Sequence, residues 1–152
     1  MENLDDTDRT LLNALQRDAT LSLDELSDIA HLSRNACWRR VKAMETRGLI
    51  AGRVTLLNAD AVGLPLAVFI QVRTNTHDPA WLDTFAKATR AMPEILGVYR
   101  MTGDLDYLIR ARVADMADYD RFYQRLISRV PLSDVSASFV MEEIKETTAL
   151  PL

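Results

Sequence analysis

The sequence predicts an α+β chain, three N-terminal helices followed by a βαββαβ half sandwich. Two observations carry that prediction. Over residues 5–47, leucines and other apolar residues return every three or four positions, the period of a helix with one buried face. From residue 66 onward, runs rich in β-branched and aromatic residues alternate with helical stripes, and Gly or Pro marks the joins.

The helical part follows element by element. Asp5 is placed to cap the first helix, with Asp8 in its first turn and Leu4, Leu11, Leu12 and Leu15 on one face. Ser22-Leu23-Asp24-Glu25 spells a capping box: the Ser hydroxyl accepts from the Glu amide while the Glu side chain reaches back. The helix it opens runs to Ala30, with Leu23, Leu26, Ile29 and Ala30 inward. Ser33 caps a third helix, which Gly48 ends by supplying a left-handed residue. Only Ala30-His31-Leu32-Ser33 joins the second and third helices, and so short a link forces the steep crossing of a helix-turn-helix. His31 stands where a positive φ is expected, a region histidine tolerates better than most residues. A short strand over 49–57 would make the unit a winged helix-turn-helix, and 58–65 reads as a linker.

In the second part, residues 66–73 read as a strand. Pro79 opens a helix with Leu82, Phe85, Ala86 and Thr89 on one stripe, and Pro93 stops it. Strands over 95–102 and 105–113 are expected to form a tight hairpin about Gly103-Asp104. Asp115 caps a helix with Met116, Tyr119, Tyr123, Leu126, Ile127 and Val130 at helical spacing, and 135–144 is the last strand. This order is ferredoxin-like. Two helices cover one sheet face and leave the other bare, so sheet-to-sheet dimerisation is expected. The boundaries read as 1–52 for the helix-turn-helix domain, 53–65 for strand and linker, and 66–152 for the sheet domain.

Composition narrows the function. With 152 residues, 48% apolar and 26% charged, the chain is of ordinary globular make-up, and each half is near the lower limit for an independent core. No apolar run approaches the ~20 residues a membrane helix needs, and residues 1–6 lack the basic and apolar regions of a leader. The one cysteine, Cys37, excludes an intrachain disulfide and a Cys-rich metal site. A cytoplasmic protein with no cofactor and no metal is expected. The net charge of −4 argues against nucleic acid only until its distribution is read. Residues 1–30 hold two basic and eight acidic residues, whereas 31–55 hold six basic and one acidic. A local basic patch is what phosphate binding needs.

The third helix concentrates the chemistry. Cys37, Val41 and Met44 fall on its inner face, whereas Asn35, Trp38, Arg39 and Lys42 form an outward stripe. Arg can bond guanine edges bidentately, Asn can bond adenine, and an apolar surface can meet a thymine methyl. Arg40 and Arg53 are expected to grip phosphates. With Ser33 and Arg34 at the helix start, these residues make up the expected contact set for double-stranded DNA. Trp38 also admits packing on the helix flank, and Cys37 reads as a small core residue rather than a redox centre. In the second part, Gly103-Asp104-Leu105-Asp106-Tyr107 admits three readings: a solvated turn, an acid/base pair, or a polar cradle for a ligand such as the ammonium of an amino acid. No His, Lys or nucleophile accompanies the two carboxylates in sequence, so no enzyme is expected.

Several motifs then occur together, in order, along the whole chain. They are Leu4-Asp5-x-x-Asp8-x-x-x-Leu12-x-x-Leu15-Gln16-x-Asp18, Ser33-x-x-x-Cys37-x-x-Arg40-Val41-x-x-Met44-Glu45-x-x-Gly48-Leu49-Ile50, Gly103-Asp104-x-Asp106-Tyr107-Leu108, and Val140-Met141-Glu142-Glu143-Ile144-Lys145. Together they resemble the Lrp/AsnC (feast/famine) transcription regulators. Cys37-Trp38, Ala114-Asp115-Met116 and Thr147-Thr148-x-Leu150-Pro151 are similar to the cysteine-responsive branch of that family.

The resemblance implies that the second part is the amino-acid-binding RAM domain. It implies homodimers formed through the sheets and assembled further, commonly to octamers. An amino-acid effector, cysteine first among candidates, would bind near Gly103, Asp104, Asp106 and Tyr107. Arg100, Met101 and Thr102, with Ser136, Ser138 and Val140, would complete that site. An architectural DNA-binding protein with no effector is the alternative. Two departures stand out. The recognition helix begins Ser33-Arg34-Asn35-Ala36 where Ser-Pro-Thr-Pro is common in the family, and Val130-Pro131-Leu132-Ser133 lacks the usual Gly.

Overall fold

The computed structural model describes residues 4–75 and 78–152. The leader reading and Glu2 of the acidic count fall on Met1 to Asn3, outside the described residues. Two units are formed: one takes the residues up to Leu56 together with Ile144–Leu152, the other is Leu57–Glu143.

The first unit contains α1 (Asp6–Leu15), α2 (Leu23–Ala30) and α3 (Arg34–Thr46). Each begins where a side chain satisfies an orphan amide. Asp5 Oδ1 accepts from Asp8 N at 2.7 Å, and Ser33 Oγ accepts from Ala36 N at 3.3 Å. Ser22 and Glu25 form the expected reciprocal box. Removing a cap of this kind costs about 1 kcal/mol. His31 leaves α2 at φ +52°, and Gly48 follows α3 at φ +76°. Leu11, Leu26, Cys37, Val41 and Met44 form the core between the three helices. Ile29, expected inward, is exposed, because the buried side of α2 is centred on Leu26 and Ser27. The Ser27 hydroxyl is satisfied by Asp24 O at 2.8 Å.

One further expectation about this unit is corrected. The strand over 49–57 is not formed: residues 51–58 join no ladder among the described residues, and Val54, Leu56 and Leu57 stand exposed. A strand exists only against a partner, and none is supplied here among the described residues. Ile144–Leu152, at the end of the chain, groups with the helical unit, where the Gln16 side-chain amide donates to Leu150 O and accepts from Leu150 N, both at 2.8 Å.

Four carboxylates in this unit lie below their usual range. The Asp8 amide holds Asp5 down, the Thr20 hydroxyl Asp18, the Ser22 amide Glu25, and the Lys42 ammonium Glu45. Each is more readily ionised folded than unfolded. Their stabilisation is therefore complete above the unfolded values of 3.8 and 4.5, and is lost as pH falls through the lower folded values. In the second unit, among the described residues, Asp118 alone is lowered in this way. Melts followed by helix circular dichroism from about pH 6 to about pH 3 are expected to show the helical unit losing stability on acidification. A melting point that stays level or rises would contradict this.

The second unit runs β1 (Leu66–Arg73), α4 (Pro79–Arg90), β2 (Ile95–Arg100), β3 (Tyr107–Val113), α5 (Met116–Arg129) and β4 (Asp134–Phe139). The sheet order is β2-β3-β1-β4, antiparallel throughout. Val68, Ile70 and Val72 of β1, with Ile109, Ala111 and Val113 of β3, pack under Phe85 and Ala88 of α4 and Phe122 and Leu126 of α5. The inward residues differ from the expected stripes. Trp81 and Phe122 are buried, whereas Leu82, Met116 and Ile127 are exposed. Trp81 keeps its indole satisfied by donating to Pro131 O at 2.8 Å.

β4 ends at Phe139, not residue 144, and Met141 and Ile144 stand free of the core. The hairpin between β2 and β3 is wider than a two-residue turn: Arg100 pairs with Tyr107, and Met101 N donates to Asp106 O at 2.9 Å. Gly103 holds φ +104° inside that loop, a value few other residues adopt. On the face away from the helices, the register sets Ser136, Gln71, Leu108 and Tyr99 in one row and Ser138, Phe69 and Arg110 in the next.

Candidate DNA-reading face and ligand loop

On α3 the inner and outer faces separate as the spacing predicts. Cys37, Val41 and Met44 are buried, and Asn35, Trp38, Arg39 and Lys42 are exposed. The Asn35 and Arg39 side chains have no hydrogen bond or ion pair among the described residues, so both are available to an incoming edge. Arg34, at the first turn, reaches Asp24 at 3.5 Å across open solvent, a contact worth little. Lys42 and Arg53 both meet Glu45, at 3.2 and 2.9 Å. The trio is net positive, so Glu45 orders two cations beside the reading face without cancelling them.

Trp38 is 53% exposed. It lines a groove of about 380 Å³ with Leu15, Leu23, Leu26 and Val41, and the indole presents much of its surface outward. Burial pushes the Cys37 thiol up, as befits an inert core residue.

Arg40, expected to grip phosphate, is engaged within the unit: its Nη1 lies 2.7 Å from Asp5 and 2.8 Å from Asp8. Asp8 is a buried carboxylate, and Arg40 is the charge that compensates it. Arg40 ties α3 to the start of α1 and faces two negative charges. Arg40→Ala is expected to destabilise the helical unit by about 1–2 kcal/mol while leaving the salt dependence of DNA binding unchanged. Denaturant melts and a salt titration of binding check this. A flattened salt slope with normal stability would return Arg40 to the interface.

The loop between β2 and β3 is braced from β1. Arg73 Nε donates to Asp104 O at 2.9 Å, and its Nη1 reaches Asp134 of β4 at 2.8 Å. The Thr74 amide donates to the Asp106 carboxylate at 2.8 Å, and Asp106 N donates to Val72 O at 3.1 Å. Asp106 is therefore occupied in holding the loop, whereas the Asp104 side chain stays exposed beside Met101, Thr102 and Gly103. Sequence reasoning missed Arg73. Its signal is the register, which sets Val72 opposite Tyr107 and Arg73 opposite Asp134.

The expected ligand residues do not all meet within one chain. Arg100 and Tyr107 pair on the helix-covered side of the sheet at the β2 edge. Ser136 and Ser138 lie on the opposite face of β4, at the other edge, and Val140 just beyond donates its amide to Ala67 O at 3.0 Å. Strand order separates what chain order leaves adjacent.

No helix is long and apolar enough to cross a membrane among the described residues. A helix-turn-helix with a polar, cationic outer face, carried on one chain with an antiparallel βαββαβ domain, defines a two-domain DNA-binding regulator. Residues 4–45 match the AsnC-type helix-turn-helix domain, and residues 67–150 match the Lrp/AsnC ligand binding domain. The chain belongs to the Lrp/AsnC family of DNA-binding transcriptional regulators, and the acid/base reading of Asp104 and Asp106 falls away.

The chain is 47% identical to the glutamate uptake regulatory protein of Zymomonas mobilis over 152 residues, covering 100% of this chain and 93% of that one. It is also 47% identical to the DNA-binding transcriptional activator DecR of Escherichia coli over 150 residues, 98% and 99% of the two chains. A transcriptional regulator from Neisseria meningitidis, solved as an L-Met complex, superposes with a TM-score of 0.94 at 37% identity over 98% of this chain and 97% of that one.

Proposed function

We propose that this regulator responds to an amino acid, bound near the 101–107 loop, which shifts its assembly and thereby its hold on DNA. The observation that carries this reading is the braced loop. Arg73 and Asp106 fix its backbone, while the Asp104 carboxylate and the chain around Gly103 remain open to a ligand. An exposed carboxylate on a fixed loop suits an ammonium group. The L-Met complex of the Neisseria regulator supports an amino acid as the ligand class. Cysteine stays first among effectors on the motif resemblance. Two relatives with different names match at the same 47% identity, so identity does not choose the effector.

In this reading the bare sheet face pairs with a second copy, and dimers assemble further, commonly to octamers, in the cytoplasm. Ser136, Ser138 and Val140 enter the ligand site from a neighbouring chain. Asn35, Trp38 and Arg39 meet base edges, with Ser33 and Arg34 at the helix start, while Lys42 and Arg53 meet phosphates. Paired recognition helices enter successive major grooves about 34 Å apart or a multiple of it. An effector shifts such an assembly only through unequal affinity for its states.

The test is a thermal-shift panel of the proteinogenic amino acids on the full chain and on Asp104→Ala. At least one amino acid is expected to raise the melting point by mass action, and Asp104→Ala is expected to lose that shift. The variant keeps its brace, because Arg73 bonds the Asp104 main-chain oxygen. No shift from any amino acid, with DNA binding intact, would favour the architectural alternative.

A further inference from the structure

We propose that each subunit carries a second small-molecule site, between α4 and the edge strand β2, for an apolar-tailed carboxylate that lacks an ammonium group, such as a branched α-keto acid. The cavity shares Arg100 and Tyr107 with the residues expected at the 101–107 loop, but it lies away from the exposed Asp104 side chain, and the proposal does not depend on the loop reading.

A cavity of about 430 Å³ lies there, within the roughly 300–1,000 Å³ range of small-ligand pockets. Its floor is rigid: Phe85 and Tyr107 are buried, with ring centroids 4.8 Å apart. Its walls include Leu82 of α4 and Leu96 and Val98 of β2, all exposed apolar side chains. A bulge between Ile95 and Gly97 breaks the β2 register beside it, a device that re-aims edge side chains near binding sites.

Charge selects the occupant. The lining includes two cations, Arg90 and Arg100, and no acidic residue. Neither arginine side chain has a hydrogen bond or ion pair among the described residues. Guanidinium groups favour carboxylates, which they can hold through two parallel bonds. An α-amino acid would bring an ammonium into a lining that offers two like charges and no anion, an arrangement that selects against it. The exposed Asp104 of the loop offers what this cavity lacks. Arg90 also stands in the last turn of α4, where a cation offsets the terminal carbonyls. That effect is small, so Arg90→Gln should fold.

The experiment is calorimetric titration of the full chain with α-ketoisocaproate and, separately, with L-leucine, its ammonium-bearing counterpart. The keto acid is expected to bind, and leucine is expected not to displace it. Arg90→Gln should weaken keto-acid binding about tenfold or more, and Leu96→Glu, which places an anion in the wall, should abolish it. Sedimentation of both variants reports assembly. Three results would each overturn the proposal: no keto-acid binding to the parent chain, an unchanged Kd in Arg90→Gln, or displacement by leucine. A change in assembly on Arg90→Gln without keto-acid binding would show a second copy filling the cavity, and would overturn it too. The amino-acid shift lost in Asp104→Ala is expected to persist in Arg90→Gln, so failure here and failure of the loop reading are distinguishable.

Discussion

Arg39→Ala is expected to weaken specific DNA binding by about one to two orders of magnitude, the worth of a good bidentate base contact. Arg39 lies on the exposed face of α3 beside Asn35 and Trp38, with no hydrogen bond or ion pair among the described residues. It therefore breaks no internal bond when it turns to a base edge. Its removal should leave the melting point unchanged, since Arg39 supports nothing in the core. It should also relax preference at one base pair rather than weaken all sequences alike. Anisotropy titrations on a DNA site selected from a random library, and on its single-base variants, measure this. Equal loss on every sequence, with a salt slope lower by about 1, would make Arg39 a phosphate contact. Unchanged binding would remove it from the interface.

Phe122→Ala is expected to cost about 3–5 kcal/mol, the range for emptying an aromatic from a core. Phe122 is fully buried among the strands and α5, with its ring centroid 6.2 Å from that of Tyr119. Such a loss is a large part of the stability of any small domain. Urea unfolding followed by a probe in the sheet unit should show the transition move to much lower denaturant. Ile127→Ala, at an exposed position one turn on, should cost far less. Similar losses for both variants would contradict the observed burial.

Phe122 and Ile127 show why some of the fold was legible and some was not. Local rules were readable because their causes are local. Asp5, Ser22 and Ser33 cap within three residues of themselves, and His31 takes its positive φ inside one turn. The inner stripe of α3 was readable because its other face is so polar. On α5 the apolar residues spread over two neighbouring faces, and periodicity alone chose Ile127 over Phe122. Only the strands beneath decide between them.

Long-range partners were likewise hidden. Arg40 stands on the flank of a basic helix, and its carboxylates come from 35 and 32 residues away. Gln16 bonds a segment 134 residues distant. At the ligand loop, the Gly103-Asp104 signal placed the turn, but Arg73 enters only through strand register. The strand over 49–57 had the composition of a strand and no partner among the described residues.

The central claim, that ligand and DNA are coupled, is tested most directly by one measurement: the affinity of the full chain for its selected DNA site with and without the amino acid that stabilises it. The predicted change is about 5- to 150-fold, in either direction, and DNA must change the affinity for that amino acid by the same factor. An amino acid that saturates the protein and leaves DNA affinity unchanged would contradict it.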